Sequence, residues 1–359
     1  MKHRIPSLDG LRTISIGFVL LLHMSGGKNF LLYTTVEPIN PGALGVPVFF
    51  VISGYLITRL LLKELSTTGT ISLKKFYIRR SLRILPAYWF YIGVVLLLSL
   101  NGFATIRTSD FLHALTFTTN YSYDCAWYLG HTWSLSVEEQ FYLLWPVTLF
   151  LVGRKRGMIV AAATILIVPL IRFSLWTWVP SYHSMILHTF ETTADHLAAG
   201  CLLAGIQGWL DRQNTYLRFL RSPLFILVPM GILAGSMSFQ HPRLQFLFGV
   251  ALENLSICIF IDRVVRFADD DLGRLLNSRL FVAIGVLSYS LYLWQQLFCR
   301  RDQLGLWTTW FPLNLALSLT CAALCFYLVE KPILRLRDRF KAPPSRVPKS
   351  ESLRGLPRS

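Results

Sequence analysis

Ten apolar segments of 16 to 23 residues follow one another along this 359-residue chain, at about 8–25, 44–62, 84–102, 137–152, 158–178, 190–209, 223–239, 244–262, 281–298 and 307–329. A helix that crosses a bilayer needs about 20 such residues. Backbone N–H and C=O groups in lipid must be satisfied within the segment, which leaves helices for open-ended spans of this length. The fold class that follows is all-α, a polytopic membrane protein of about ten transmembrane helices. Roughly 200 residues would lie in lipid, too many to leave a second folded domain. The chain therefore divides into a membrane domain, 1–335, and a basic tail, 336–359, whose Pro343, Pro344, Pro348 and Pro357 predict disorder.

Composition agrees. Hydrophobic residues make up 53% and charged residues 15%, against about 25% charged in a soluble domain, which excludes a water-soluble globular protein. The first segment does not read as a cleaved signal peptide, because Arg12 and His23 interrupt it and Met24-Ser25-Gly26-Gly27 is a poor cleavage site. Of six cysteines only Cys125 falls in a loop, and no Cys-x-x-Cys or Cys/His spacing predicts a disulfide framework or a metal site.

The net charge of +16 would suggest a nucleic-acid partner in a soluble protein. Assigning loops alternately to two sides places 28 of the 35 Lys and Arg on the amino-terminal side and only Lys28, Arg107, Arg243, Arg300 and Arg301 on the other. That split is the positive-inside pattern, and it predicts both termini in the cytoplasm. Topology and anionic lipid account for the charge, and no nucleic acid is required.

Ionisable groups inside a membrane need a partner or a wet cavity and so point to function. Arg12 and His23 are eleven positions apart, about 1100° of helical rotation, so they share one face with a rise of about 16 Å. Snorkelling of Arg12 and an interfacial His23 would also account for the pair. Around Arg79-Arg80-Ser81-Leu82-Arg83, spacings of three and four residues give a helical face suited to phosphate, or a plain positive-inside anchor. In His131 through Tyr142, Ser136 with Glu139 fits a capping box. Glu138 is left to orient a histidine or to complement the helix dipole. Asp195 has Arg172 as a candidate partner. Gly45 through Tyr55 breaks an apolar run with Gly, Pro and Ser53, which permits close helix packing or the approach of a ligand.

Taken together these segments resemble the acyltransferase 3 family of integral membrane acyltransferases, which modify sugars of bacterial surface polysaccharides. The likeness rests on Leu8-Asp9-Gly10-Leu11-Arg12 with His23, Gly45 through Leu56, Arg80 through Pro86, Trp133 through Tyr142, Tyr289 through Trp294, and Val329-Glu330-Lys331-Pro332. It implies a multi-pass enzyme of the bacterial cytoplasmic (inner) membrane, of the stand-alone type. The implied donor is an acyl-CoA, most simply acetyl-CoA, and the implied acceptor a polysaccharide or lipid-linked oligosaccharide hydroxyl. It further implies that Arg12, His23, Arg80 and Arg83 are needed for activity.

Physical reasoning then assigns roles. Arg12, Arg80 and Arg83, with Ser53, would receive the phosphate-bearing donor at the cytoplasmic mouth. His23 would act as general base, with Glu138 as its orienting partner. One departure stands out: many members carry His after Leu-Tyr-Leu-Trp, and this chain has Gln295 and Gln296. Aromatic residues of the loop 102–132, Trp127 among them, offer a platform for sugar rings or an interfacial belt. A proton-coupled transporter and a catalytically inactive membrane sensor or scaffold remain open as alternatives.

Overall fold

The computed structural model describes residues 5–24, 44–237, 241–299 and 306–337. The tail expected to be disordered lies outside the described residues from 338 onward, as do Lys28, Arg300 and Arg301. The long helices are α1 (Pro6–Met24), α2 (Gly45–Thr68), α3 (Leu73–Leu100), α4 (Trp133–Trp178), α5 (Phe190–Leu210), α6 (Leu227–Met237), α7 (Pro242–Arg266), α8 (Arg279–Trp294) and α9 (Leu313–Arg335). No strand occurs among the described residues.

Seven of the described helices are long and apolar enough to cross a membrane, or eight if the pair Asn214–Arg221 and Pro223–Ser236, bent by 74°, counts as one span. Each of the ten apolar segments read from the sequence overlaps a helix among the described residues. Two of them lie within α4. At 1.5 Å per residue its 46 residues would extend about 69 Å, more than twice a hydrocarbon core. Gly153 breaks it with φ 74° and ψ 179°, a backbone conformation that glycine adopts without steric cost.

Side-chain contacts give the directions of the two arms. The first arm runs parallel to α2, since Phe50 meets Trp133, Ser53 meets Glu138 and Thr58 meets Trp145. The second runs antiparallel to α5, since Arg154 reaches Gly205 and Arg172 reaches Thr192. Helix α5 itself is parallel to α2, with His196 beside Phe50 and Gln207 bonded to Tyr55. The chain therefore reverses at Gly153. Helix α5 stays outside the seven by composition, because its first two turns carry Glu191, Asp195 and His196.

Glycines set the closest helix approaches. A Cβ on Gly54 would lie 2.0 Å from the Leu197 carbonyl oxygen, and one on Gly200 would lie 2.1 Å from that of Val51. The same reciprocity joins α1 to the α8 region, with Gly10 on Leu276 and Gly285 on Asp9. Small residues let backbones meet in this way, and the reading of Gly54 as a packing residue agrees. Alanine at Gly54 or Gly200 has only backbone to push against, so each is expected to lose at least about 1–3 kcal/mol of stability. Denaturation midpoints of the purified variants in detergent check this.

Candidate functional site

Three helices run parallel and fix the depth of the sequence-predicted residues. Ser7, Thr13 and His23 of α1 meet Asn277, Phe281 and Gln295 in turn. Along α3, Tyr289 of α8 bonds to Ile84 and Trp294 packs on Tyr91. His23 and Tyr91 thus share a level at the carboxy-terminal end of α8. Arg12 and Arg80 each precede that level by eleven residues, about 16 Å of rise.

At the His23 level the structure holds a cavity of ≈ 560 Å³, lined by His23, Trp127, His131, Tyr292 and Gln296 on one side and by His188, His196, Gln245 and Glu253 on another. His23 Nδ1 lies 2.9 Å from Gln295 Oε1. A carbonyl oxygen accepts, so Nδ1–H donates and Nε2 carries the lone pair, which is the tautomer of a base. The Trp127 ring stands edge-on to His23 at 5.9 Å, and its indole N–H donates to the Gln296 carbonyl. Gln296 returns the bond to the Trp127 carbonyl, so loop and helix end are locked together.

Two loop groups at the cavity carry shifted protonation. Burial holds the His188 imidazole below its ordinary range, and its ring stands edge-on to the Trp133 ring at 4.6 Å. Burial, with Asp110 as the next cause, pushes the Cys125 thiol up to about 12. A thiol in that state is protonated at neutral pH and is a poor nucleophile.

Glu138 stands apart from His23. It does not orient His23: its Oε1 accepts from Ser53 Oγ at 2.7 Å, and its Oε2 accepts from Tyr142 at 3.0 Å and faces Arg80 at 3.8 Å. The reason is position, since Glu138 sits on the first arm of α4 beside the middle of α2 and α3. The role expected of it at His23 is filled by Gln295. The capping box also fails, because α4 begins at Trp133 and Ser136 is already inside the helix, donating to the Thr132 carbonyl.

The Arg80 guanidinium lies 3.6 Å from the Tyr142 ring centroid, and its buried Nε has no hydrogen-bond partner among the described residues. Arg12 pairs with Asp9 at 3.3 Å. Arg83 interacts electrostatically with Glu330, whose carboxylate accepts from Ser290. The structure thus joins Ser53, Glu138 and Arg80 in one cluster. Arg172 and Asp195, which sequence spacing cannot pair, form a buried bidentate ion pair at 2.9 and 2.7 Å. Sequence reasoning assigns no role to Gln295, His196 or Glu253, and places His131 only in the aromatic loop. For Gln295 a signal existed, in that it occupies the position where the chain departs from the pattern it resembles.

With this arrangement in view, comparison with known proteins is decisive. An acyltransferase domain family, acyltransferase 3, matches residues 5–330. The chain belongs to the acyltransferase 3 family. Among the relatives of this acyltransferase 3 chain, one from Staphylococcus aureus (strain COL) named "Putative O-acetyltransferase" is 31% identical over 318 residues, covering 81% of the chain and 50% of that protein. "O-acetyltransferase OatA" of Staphylococcus aureus (strain NCTC 8325 / PS 47) is 29% identical over 315 residues, again with 81% and 50% covered. The chain spans about half the length of the curated relatives it matches. No solved structure matches it.

Proposed function

We propose that this acyltransferase 3 chain is a membrane O-acyltransferase that moves an acetyl group from acetyl-CoA to a hydroxyl of a cell-envelope polysaccharide or of its lipid-linked oligosaccharide precursor. The observation that carries the reading is His23, whose Nδ1 is held by Gln295 in the cavity wall, about 16 Å above the level of Arg12 and Arg80. In this reading all ten helical segments cross the bacterial cytoplasmic membrane, both termini are cytoplasmic, and the arginine level is the cytoplasmic mouth.

The chemistry follows from those positions. Phosphates of the donor meet Arg12, Arg80 and Arg83, with the unpartnered Arg80 Nε as one donor of a hydrogen bond. Ser53 and Glu138 hold Arg80 in place over Tyr142. The pantetheine arm then carries the thioester to His23. His23 Nε2 takes the proton of the acceptor hydroxyl, the oxygen attacks the acetyl carbonyl, and a C–O bond replaces the C–S bond. Coenzyme A leaves as the thiol, taking back the proton from the imidazolium. The protonated state of Cys125 favours this direct transfer over an acyl-cysteine route.

Acetyl-CoA turnover by the purified protein with candidate glycans tests the reading. Product carrying the labelled acetyl ester supports it; passage of substrate unchanged favours a permease, and no reaction a scaffold. Reversing the charge at Arg80 or Arg83 to Glu is expected to weaken acetyl-CoA affinity by at least tenfold, about the 1.4 kcal/mol within reach of one charge-assisted contact. Isothermal titration with acetyl-CoA measures it, and an unchanged affinity removes these residues from the phosphate site.

A further inference from the structure

Three buried residues of the cavity have polar atoms with no hydrogen-bond partner among the described residues: Ser236 Oγ, Glu253 Oε1 and both ring nitrogens of His131. Their residues are only 2%, 5% and 4% exposed. Buried polar groups are ordinarily satisfied, because leaving one unpaired costs about what it would lose in giving up its water. A single exception can be an accident of packing. Three exceptions lining one cavity, on three different elements, describe a surface shaped for a polar ligand.

The same wall is rigidly built. Gly235 brings α6 so near to α7 that a Cβ there would lie 3.0 Å from the Glu253 backbone nitrogen, which sets Ser236 beside Glu253. The next residue, Asn254, bonds to both His196 Nδ1 and Asp195 Oδ2. These groups therefore keep their positions without a ligand.

Their chemistry narrows the ligand. A carboxylate oxygen accepts, a hydroxyl does both, and a neutral imidazole offers one donor and one acceptor. No Lys or Arg lines this cavity among the described residues, so the wall does not suit the nucleotide's phosphates. Phe50 and Trp133, packed edge to face at 6.1 Å, add apolar ring surface to the same cavity. Hydroxyls spread around a ring with apolar C–H faces match both features, and that is a sugar.

We propose that Glu253, Ser236 and His131 bind the hydroxyl groups of the sugar acceptor and determine which sugar is accepted; this rests on the acyl-transfer reading above. The attacking hydroxyl then lies toward His23, and the remaining hydroxyls engage the wall formed by α6, α7 and His131, two residues before α4.

The test uses the full chain in detergent, labelled acetyl-CoA, and the host's own envelope polysaccharide stripped of esters with mild alkali as acceptor. Glu253→Gln and Ser236→Ala are each expected to raise the acceptor KM about tenfold or more, the loss of one well-formed hydrogen bond to a charged or buried group. Because Ser236 Oγ and Glu253 Oε1 have no hydrogen-bond partner among the described residues, Tm should hold or rise, whereas a structural role would lower it. Should Glu253→Gln fail to fold, Ser236→Ala, which removes a single oxygen, carries the same comparison. An acceptor KM within twofold of wild type overturns the assignment. A wild-type protein that transfers no acetyl group overturns the acyl-transfer reading instead.

Discussion

Replacing His23 with alanine is expected to lower acetyl transfer by about 10²–10⁴, the range a positioned general base contributes, with expression and acetyl-CoA binding preserved. The size of the effect follows from the acceptor: a sugar hydroxyl is a very weak acid, and a neutral imidazole is the usual base for it at physiological pH. The geometry separates this from a structural role. His23 sits in the cavity wall at the end of α1, and the contacts that hold α1 in place are made elsewhere, by Gly10 against Leu276 and Thr13 against the Phe281 carbonyl. Gln295→Leu is expected to cost a smaller factor, since it frees the ring to take the wrong tautomer without removing it. Labelled-acetyl transfer and donor titration on the same preparations measure both. Retained activity in His23→Ala eliminates the base role.

That pairing shows where sequence reasoning reached and where it stopped. Helical periodicity along one chain segment predicts a common face for Arg12 and His23; in the structure His23 meets Gln295 and Arg12 pairs with Asp9. Partners across helices are another matter. Glu138 was matched to His23 on charge alone, yet parallel packing of α2 with the first arm of α4 delivers it to Ser53 and Arg80 instead. Depth decides such pairings, and depth depends on which helices run parallel.

The cavity was still less legible. Glu253, Ser236 and His131 lie in three separate stretches, and each is unremarkable in its own segment. Their common feature, a buried polar atom without a hydrogen-bond partner among the described residues, exists only in three dimensions. The turn at Gly153 was visible as a boundary between two apolar segments, with Arg154, Lys155 and Arg156 beyond it. Gly153 leaves helical geometry at that boundary, and the side-chain contacts of the two arms show that the chain reverses there.

The second large effect is one of stability. Arg172 is fully buried and Asp195 is 1% exposed, and the guanidinium meets both carboxylate oxygens in a fork while also donating to the Thr192 carbonyl. Arg172→Met leaves the Asp195 carboxylate buried without its counter-charge, and Asp195→Leu strands the guanidinium. Each is expected to cost about 3–5 kcal/mol, the usual consequence of breaking one side of a buried pair. The double variant Arg172→Met/Asp195→Leu should recover most of that loss, because two desolvated charges are exchanged for apolar groups that a bilayer-embedded bundle can pack. Denaturation of purified protein in detergent measures the cycle, and equal losses in the single and double variants would show that the charges were not the issue. Recovery of the fold is not expected to restore the enzyme. Asn254 bonds through one amide group to both Asp195 and His196, and Glu253 is its neighbour in the chain. Without Asp195 that amide loses its anchor, and the acceptor wall loses the contact that sets its angle. The double variant should therefore fold like wild type and bind the acceptor poorly, a separation that an ion pair kept for stability alone would not produce.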